Sequence, residues 1–307
     1  MFHTEIILSI MGVSVLKNIL LVLMVALGVL FPYGHEYAFL IRYILMLLLI
    51  LAFLDIGINK NIIQKSHFVI LAVNILFPIA LFVAIKPFNE TLATAAFITA
   101  ITPTAIASPV VTSILKGKVE YVVFSLLLTN IVIALLIPFL IPLLLDGNSN
   151  ISVMQLLFPV LTVFLIPFVI AQFFKYFMPK FHGYLLRHRN SSFYFLAASV
   201  YLATAKASHY IGTELNASID IVFYIGLATF IICAVNFLMG RFLGGKKFSQ
   251  EGAQALGQKN NAFTIWIALT FLNPVVALGP TFYVLAHNLV ISGQLYWMKR
   301  KKLNDKR

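Results

Sequence analysis

The chain has 307 residues, 61% of them hydrophobic and only 10% charged, with a mean hydropathy of +0.97. Soluble domains run at roughly 45–50% apolar and ~25% charged, so a water-soluble fold is excluded, and helices that cross a bilayer are the economical home for such a chain. The single cysteine, Cys233, excludes an intramolecular disulfide framework or a cysteine-ligated metal cluster, and a formal net charge of +12 in so apolar a chain points to basic cytoplasmic loops, not to nucleic acid.

Ten apolar segments follow one another, at 16–33, 38–57, 67–86, 90–115, 119–145, 151–177, 191–211, 219–241, 249–272 and 276–298. Residues 3–14 read as a short amphipathic helix or as an extension of the first span. The first segment is read as a span and not as a removable signal peptide, because many more follow it. With the N-terminus inside, 18 of the 22 basic residues fall on the cytoplasmic side, while Arg42, Lys86 and Lys206 fall outside. That bias supports an even helix count, cytoplasmic termini and a basic tail at 299–307. The expected location is a multi-pass position in a cell membrane or bacterial inner membrane.

Ten helices divide into two sets of five, and an odd number per set inverts the second relative to the first. The fourth segment is interrupted by TPTAIASP (102–109) and the ninth by GQKNNA (257–262). Pro103 lies 13 residues from Glu90 and Lys259 lies 10 from Ser249, depths of ~20 and ~15 Å at a helical rise of ~1.5 Å. Both interruptions therefore fall near the bilayer midplane. Paired breaks at matching positions of inverted repeats point to a secondary transporter's binding site; a lone kink would carry no such weight.

These stretches resemble the bile acid:sodium symporter family. That family carries PGGxASNxxTxLAxGN in its fourth helix, where this chain has Pro103, Thr104, Ala105, Ile106, Ala107, Ser108, Pro109, Val110, Val111 and Thr112 leading into Leu115, Lys116, Gly117 and Lys118. Its ninth helix carries ExGxQNSGLA, in whose register stand Ala255, Leu256, Gly257, Gln258, Lys259, Asn260, Asn261 and Ala262. Its last helix carries an aromatic-x-x-x-His-Asn-x-x-Ser-Gly pattern, matched by Tyr283, His287, Asn288, Ser292 and Gly293. The resemblance implies a panel of helices 1, 2, 6 and 7 (about 1–66 and 146–212) and a core of helices 3–5 and 8–10 (about 67–145 and 213–298). In the core the broken helices cross, and their half-helix N-termini favour an anion.

The departures are as telling. Where the family keeps a sodium-binding glutamate and glutamine in its ninth helix, this chain has Ala255 and Lys259. Pro109 replaces an asparagine, Val122 and Leu126 replace fifth-helix hydroxyls, and the third-helix glutamine reads Val73, beside Asn74. The ten acidic residues (Glu5, Glu36, Asp55, Glu90, Glu120, Asp146, Glu214, Asp220, Glu251 and Asp305) all fall at predicted helix ends or in loops. No carboxylate is left at the midplane for a hard cation, whereas a lone ammonium carries the same net charge as one carboxylate with two sodium ions.

The expected substrate and coupling site is therefore Lys259 with Gln258, Asn260, Asn261, Ser108, Pro103, Thr104, Pro109, Thr112, Asn74, His287 and Asn288. The hydrogen-bond acceptors expected for the ammonium are backbone carbonyls freed at the breaks, Ser108, Asn260 and Asn261. An intramembrane cation costs roughly 2.5–3.5 kcal/mol on insertion scales and is a functional-site hypothesis by default. Two readings stand: charge compensation or proton exchange during transport, and a fixed cation that staples crossing helices. Lys206 is read as a residue that snorkels outward or touches substrate, and His209 as interfacial. Asn130 and Asn236 are read as interhelical hydrogen bonders. Tyr283, Tyr296 and Trp297 are read as an interfacial belt.

The function expected is secondary active transport of a small or amphipathic organic anion, sodium-independent and with or without proton coupling, without cofactor, metal or nucleic-acid partner. Alternatives are a ligand sensor on a carrier fold and an uncoupled facilitator or channel. No catalytic cluster at a single depth is visible, so an enzyme is not expected.

Overall fold

The computed structural model describes residues 2–54, 62–145, 152–188, 191–213 and 219–304. Helices α1 (Phe2–Leu30), α2 (Leu40–Phe53), α3 (Lys65–Ile85) and α4 (Glu90–Ile101) come first. They are followed by α5 (Ser108–Ile114), α6 (Val119–Leu144), α7 (Val153–Phe177), α8 (Pro179–Arg187) and α9 (Ser192–Thr213). The chain then runs through α10 (Ile219–Leu243), α11 (Gly245–Gly257), α12 (Asn261–Phe271) and α13 (Leu278–Asn304). Among the described residues there is no strand; the one β-type pairing is a single bridge between Thr104 and Lys259.

Every apolar segment expected from the sequence contains helix. Residues 3–14 prolong the first one, since α1 runs unbroken from Phe2, and α13 continues to Asn304, past the predicted end at 298. Four helices, Lys65–Ile85, Val119–Leu144, Val153–Phe177 and Asp220–Leu243, have the length and hydropathy to cross a membrane. Leu16–Leu30, Leu40–Phe53, Glu90–Ile101 and Asn261–Phe271 are apolar but shorter. The surface is greasy: Phe158 and Phe223 are each 66% exposed and Phe242 83%. In water such a surface would aggregate, whereas lipid solvates it.

Local signals set the helix starts. The Asn89 side chain accepts from the Leu92 amide at 2.8 Å and caps α4, and Ser152 with Gln155 forms a reciprocal capping box at α7. Gln64 and His67 do the same at α3. α1 packs on α9, α2 on α7 and α9, and α3 on α4; α10 packs on α4, α11 and α13. The main apolar core runs between these groups, with Leu45, Phe97, Ile137, Val160, Phe263 and Ile267 all buried.

α10 and α11 fold back on each other through a close backbone contact. A Cβ on Gly240 would collide with the Gly252 carbonyl oxygen, and one on Gly252 with that of Gly240. Small residues permit this backbone-to-backbone approach, as at membrane helix interfaces generally. Gly252→Ala is expected to destabilise the fold by about 1–3 kcal/mol, as overpacking does. The check is a fluorescence-monitored thermal melt in detergent, with Gly183→Ala as the control, because nothing approaches that glycine.

Candidate functional site

The two breaks form for different reasons. Pro103 forces the preceding residue out of the helical region, and Thr102 sits at ψ 131°. Pro109, in the first turn of α5, suits a helix start because its missing N–H is not needed there. The second break contains no proline. Gly257 ends α11, Gln258 is extended at ψ 123°, and Asn260 occupies the N-cap position of α12, a residue type favoured there.

The extended strands at the breaks pair. The Ala105 amide donates to the Gln258 carbonyl at 2.9 Å and the Asn260 amide to the Pro103 carbonyl at 2.8 Å. Two interrupted helices thereby satisfy backbone groups that would otherwise be left unpaired in an apolar interior. α6 pins the crossing from the side. Thr129 Oγ1 accepts from the Thr104 amide at 3.0 Å and donates to Thr104 Oγ1 at 2.9 Å. Asn130 Nδ2 donates to the Thr104 carbonyl at 2.9 Å and its Oδ1 accepts from Asn260 at 3.2 Å. Thr104 Oγ1 in turn donates to the Ala255 carbonyl at 2.6 Å. Asn130 is thus the interhelical bonder expected, as is Asn236, which donates to the Tyr283 hydroxyl at 3.2 Å.

Lys259 is 2% exposed. Its ammonium donates to Asn74 Oδ1, a short contact, and to the Ala100 carbonyl at 3.0 Å. Asn74, on α3, directs its own amide toward the carbonyls of Ile101 and Thr102, at 3.5 and 3.4 Å. The cation therefore sits at the carbonyl end of α4, the end that carries partial negative charge. Among the described residues no carboxylate pairs with it. Charge-assisted hydrogen bonds contribute roughly 1.5–3 kcal/mol each, against several kcal/mol for desolvating an ion, so the amine depends on both partners.

This corrects part of the expected ligand set. A freed backbone carbonyl does hold the ammonium, but the side-chain acceptor is Asn74. Ser108 Oγ instead donates to the Ala105 carbonyl at 2.6 Å, Asn260 turns to Asn130, and Asn261 Nδ2 donates to the Lys259 carbonyl at 3.2 Å. The breaks bend the chain so that Ser108 and Asn261 serve the backbone of the turns themselves, while Asn260 joins the crossing to α6.

Other expected site residues divide by place. Pro103, Thr104, Gln258, Asn260 and Asn261 lie in the crossing. Thr112 Oγ1 bonds only within α5, to the Ser108 carbonyl at 2.8 Å, and Asn288 bonds the Val284 carbonyl of its own helix at 2.7 Å. Pro109 opens α5 beyond the crossing. His287 is buried edge-on to Tyr283, with Nδ1 unpartnered among the described residues. Asn261 Oδ1 is a second buried acceptor without a partner there.

One assignment made from sequence is overturned. Tyr283 is no interfacial residue: it is fully buried and its hydroxyl donates to the Gly257 carbonyl at 2.8 Å. A helix that stops in mid-interior leaves carbonyls to be satisfied, and the phenol satisfies one. Glu251 stands near a helix end, as expected: α11 is kinked at Phe248 (φ −129°, ψ 28°), and Glu251 lies in the first turn after the kink, 6% exposed, where it accepts from the Lys118 amide at 2.7 Å. With Gln250, which donates to the Leu115 carbonyl at 2.9 Å, it ties α11 to the turn between α5 and α6. The predicted start at 249 coincides with the kink after Phe248; what the sequence does not show is that Glu251 is buried against the α5–α6 turn.

Apolar helices, two of which break and cross over a buried lysine, define an integral, multi-pass membrane protein. The family model described as Sodium Bile acid symporter family matches residues 38–214, more than half of the chain, and the protein belongs to that family. No match to a curated protein was found. The matched residues include the first break but not the second. Members of the family are transporters, not enzymes.

Asn74→Ala removes the one side-chain acceptor of a buried ammonium. It is expected to lower stability by about 2 kcal/mol, and Asn74→Ala with Lys259→Met to recover most of that loss. A double-mutant cycle of thermal melts measures the coupling.

Proposed function

We propose that this protein is a secondary carrier of a small or amphipathic organic anion, working by alternating access without bound sodium. Its ten spans form two inverted sets of five, with both termini cytoplasmic. α1, α2, α7 and α9 form a panel, and the remaining spanning helices form a core that holds the crossing at the bilayer midplane. The packing of α1 with α9 and of α2 with α7 and α9 is consistent with that division.

One observation carries the reading: a primary amine, held by Asn74 and the Ala100 carbonyl with no carboxylate partner among the described residues, occupies the crossing. A tethered cation there supplies the positive charge that family members obtain from bound sodium, and it favours an anion in the adjoining cleft. Lys259, Asn74 and the polar groups of the crossing (Gln258, Asn260, Asn261, Pro103 and Thr104) form the coupling site. Ser108, Pro109, Thr112, His287 and Asn288 support it.

Uptake of radiolabelled cholate and benzoate into proteoliposomes tests this. Replacing external sodium by N-methylglucamine is expected to leave uptake unchanged, and Lys259→Gln to reduce it at least tenfold at unchanged folding yield. Uptake that follows a sodium gradient overturns the reading. An imposed pH gradient in the same vesicles separates a permanently charged amine, which leaves uptake indifferent to the gradient, from one that exchanges a proton in each cycle.

A further inference from the structure

A cavity of about 520 Å³ opens away from the crossing, between the start of α2, the single turn Pro32–Tyr37 that precedes it, α7, α9 and the far end of α12. Its size falls within the range of small-molecule sites. Arg42, Lys206, Glu36 and His35 line it together with Trp266 and Phe271. α12 begins at Asn261, beside Lys259, and Trp266 to Phe271 stand 5 to 10 residues further along, or roughly 7–15 Å at the helical rise. The cavity thus lies on the same helix as the crossing, toward the face that the distribution of basic residues assigns to the outside.

Its chemistry is uneven in an informative way. Arg42 and Lys206 are two of the three basic residues on that face, and they come from different helices. Arg42 Nε is buried and has no hydrogen-bond partner among the described residues. Lys206 likewise has no hydrogen bond or ion pair there, although Ala205 and Ala207 on either side of it are fully buried. Glu36 lines the same cavity, yet no ion pair joins it to either cation among the described residues. A buried guanidinium donor without an acceptor, sharing one cavity with a second cation and an indole, suits a ligand that brings its own carboxylate and an apolar body.

We propose that this cavity is an outer vestibule site that captures an aromatic or amphipathic monocarboxylate before it reaches the crossing. Arg42 and Lys206 hold the carboxylate, and Trp266 and Phe271 hold the hydrocarbon. Glu36 brings the formal charge of the wall to +1 with His35 neutral, which matches a single negative charge and disfavours a dianion. The inference rests on the carrier reading for its direction but can be measured apart from it.

Trp266 and Trp297 are the two tryptophans of the chain, so Trp297→Phe leaves one reporter, in the cavity wall. In lipid nanodiscs, naphthalene-2-carboxylate is expected to quench Trp266 emission saturably, while the neutral naphthalene-2-carboxamide does not. Arg42→Gln and Lys206→Gln are each expected to weaken the apparent Kd by about tenfold to a hundredfold, with Arg42→Lys recovering part of the loss. Glu36→Gln is expected to move the other way, tightening the monoanion and admitting naphthalene-2,6-dicarboxylate; a misfolded variant cannot produce that gain. Quenching that is equal for acid and amide, or indifferent to all three charges, overturns the vestibule. Uptake of the same acid into proteoliposomes separates the two readings: uptake with no charge-dependent quenching sinks the vestibule alone, and charge-dependent quenching with no uptake sustains the vestibule while sinking the carrier.

Discussion

An ammonium buried in a membrane protein must be met on every side by something that replaces water, and the fold around Lys259 is organised by that demand. Its donors reach the carbonyl of Ala100 and the side-chain amide oxygen of Asn74, and the carbonyl is free to accept only because α4 stops in mid-interior. A continuous helix would have spent the Ala100 carbonyl on its own ladder. Break and cation therefore require each other: the proline of the fourth segment releases acceptors, and the lysine of the ninth uses one of them. The antiparallel bridge between Thr104 and Lys259 holds the two features at a fixed separation, so the charge cannot drift along either helix.

Most polar groups of the crossing are paired in the same way. Thr129 and Asn130 on α6 occupy the donors and acceptors of Thr104, Tyr283 on α13 takes the last carbonyl of α11, and Glu251 takes an amide at the start of α6. Such networks specify a unique arrangement because losing one member strands the others in a low-dielectric interior. For an anion carrier they have a further value: the positive charge is presented by a rigid frame, with Asn261 Oδ1 and His287 Nδ1 the polar atoms nearby left uncommitted.

Much of this was legible in the chain itself. A lysine inside an otherwise apolar run stands out because the insertion cost makes accidents rare, and Pro103 marks a break by steric necessity. Asn74 and Asn130 announced that they needed partners but not which ones, since a three-dimensional crossing decides whose carbonyl comes within reach. Tyr283 was misplaced because an aromatic residue reads the same at an interface as beneath a helix end, and the burial of Glu251 was hidden because hydropathy does not show which turn packs over a helix start. The cavity by Arg42 and Lys206 was invisible, for its wall is gathered from five stretches scattered between residues 35 and 271.

The glycine contact between α10 and α11 has a mechanical consequence. Side chains can slide or change rotamer, but two backbones in direct touch have no such slack, so neither helix can shift without dragging its neighbour. α11 carries the amine at its end, and α10 therefore acts as the bracket to which that charge is bolted: any force that displaces the one is delivered undamped to the other.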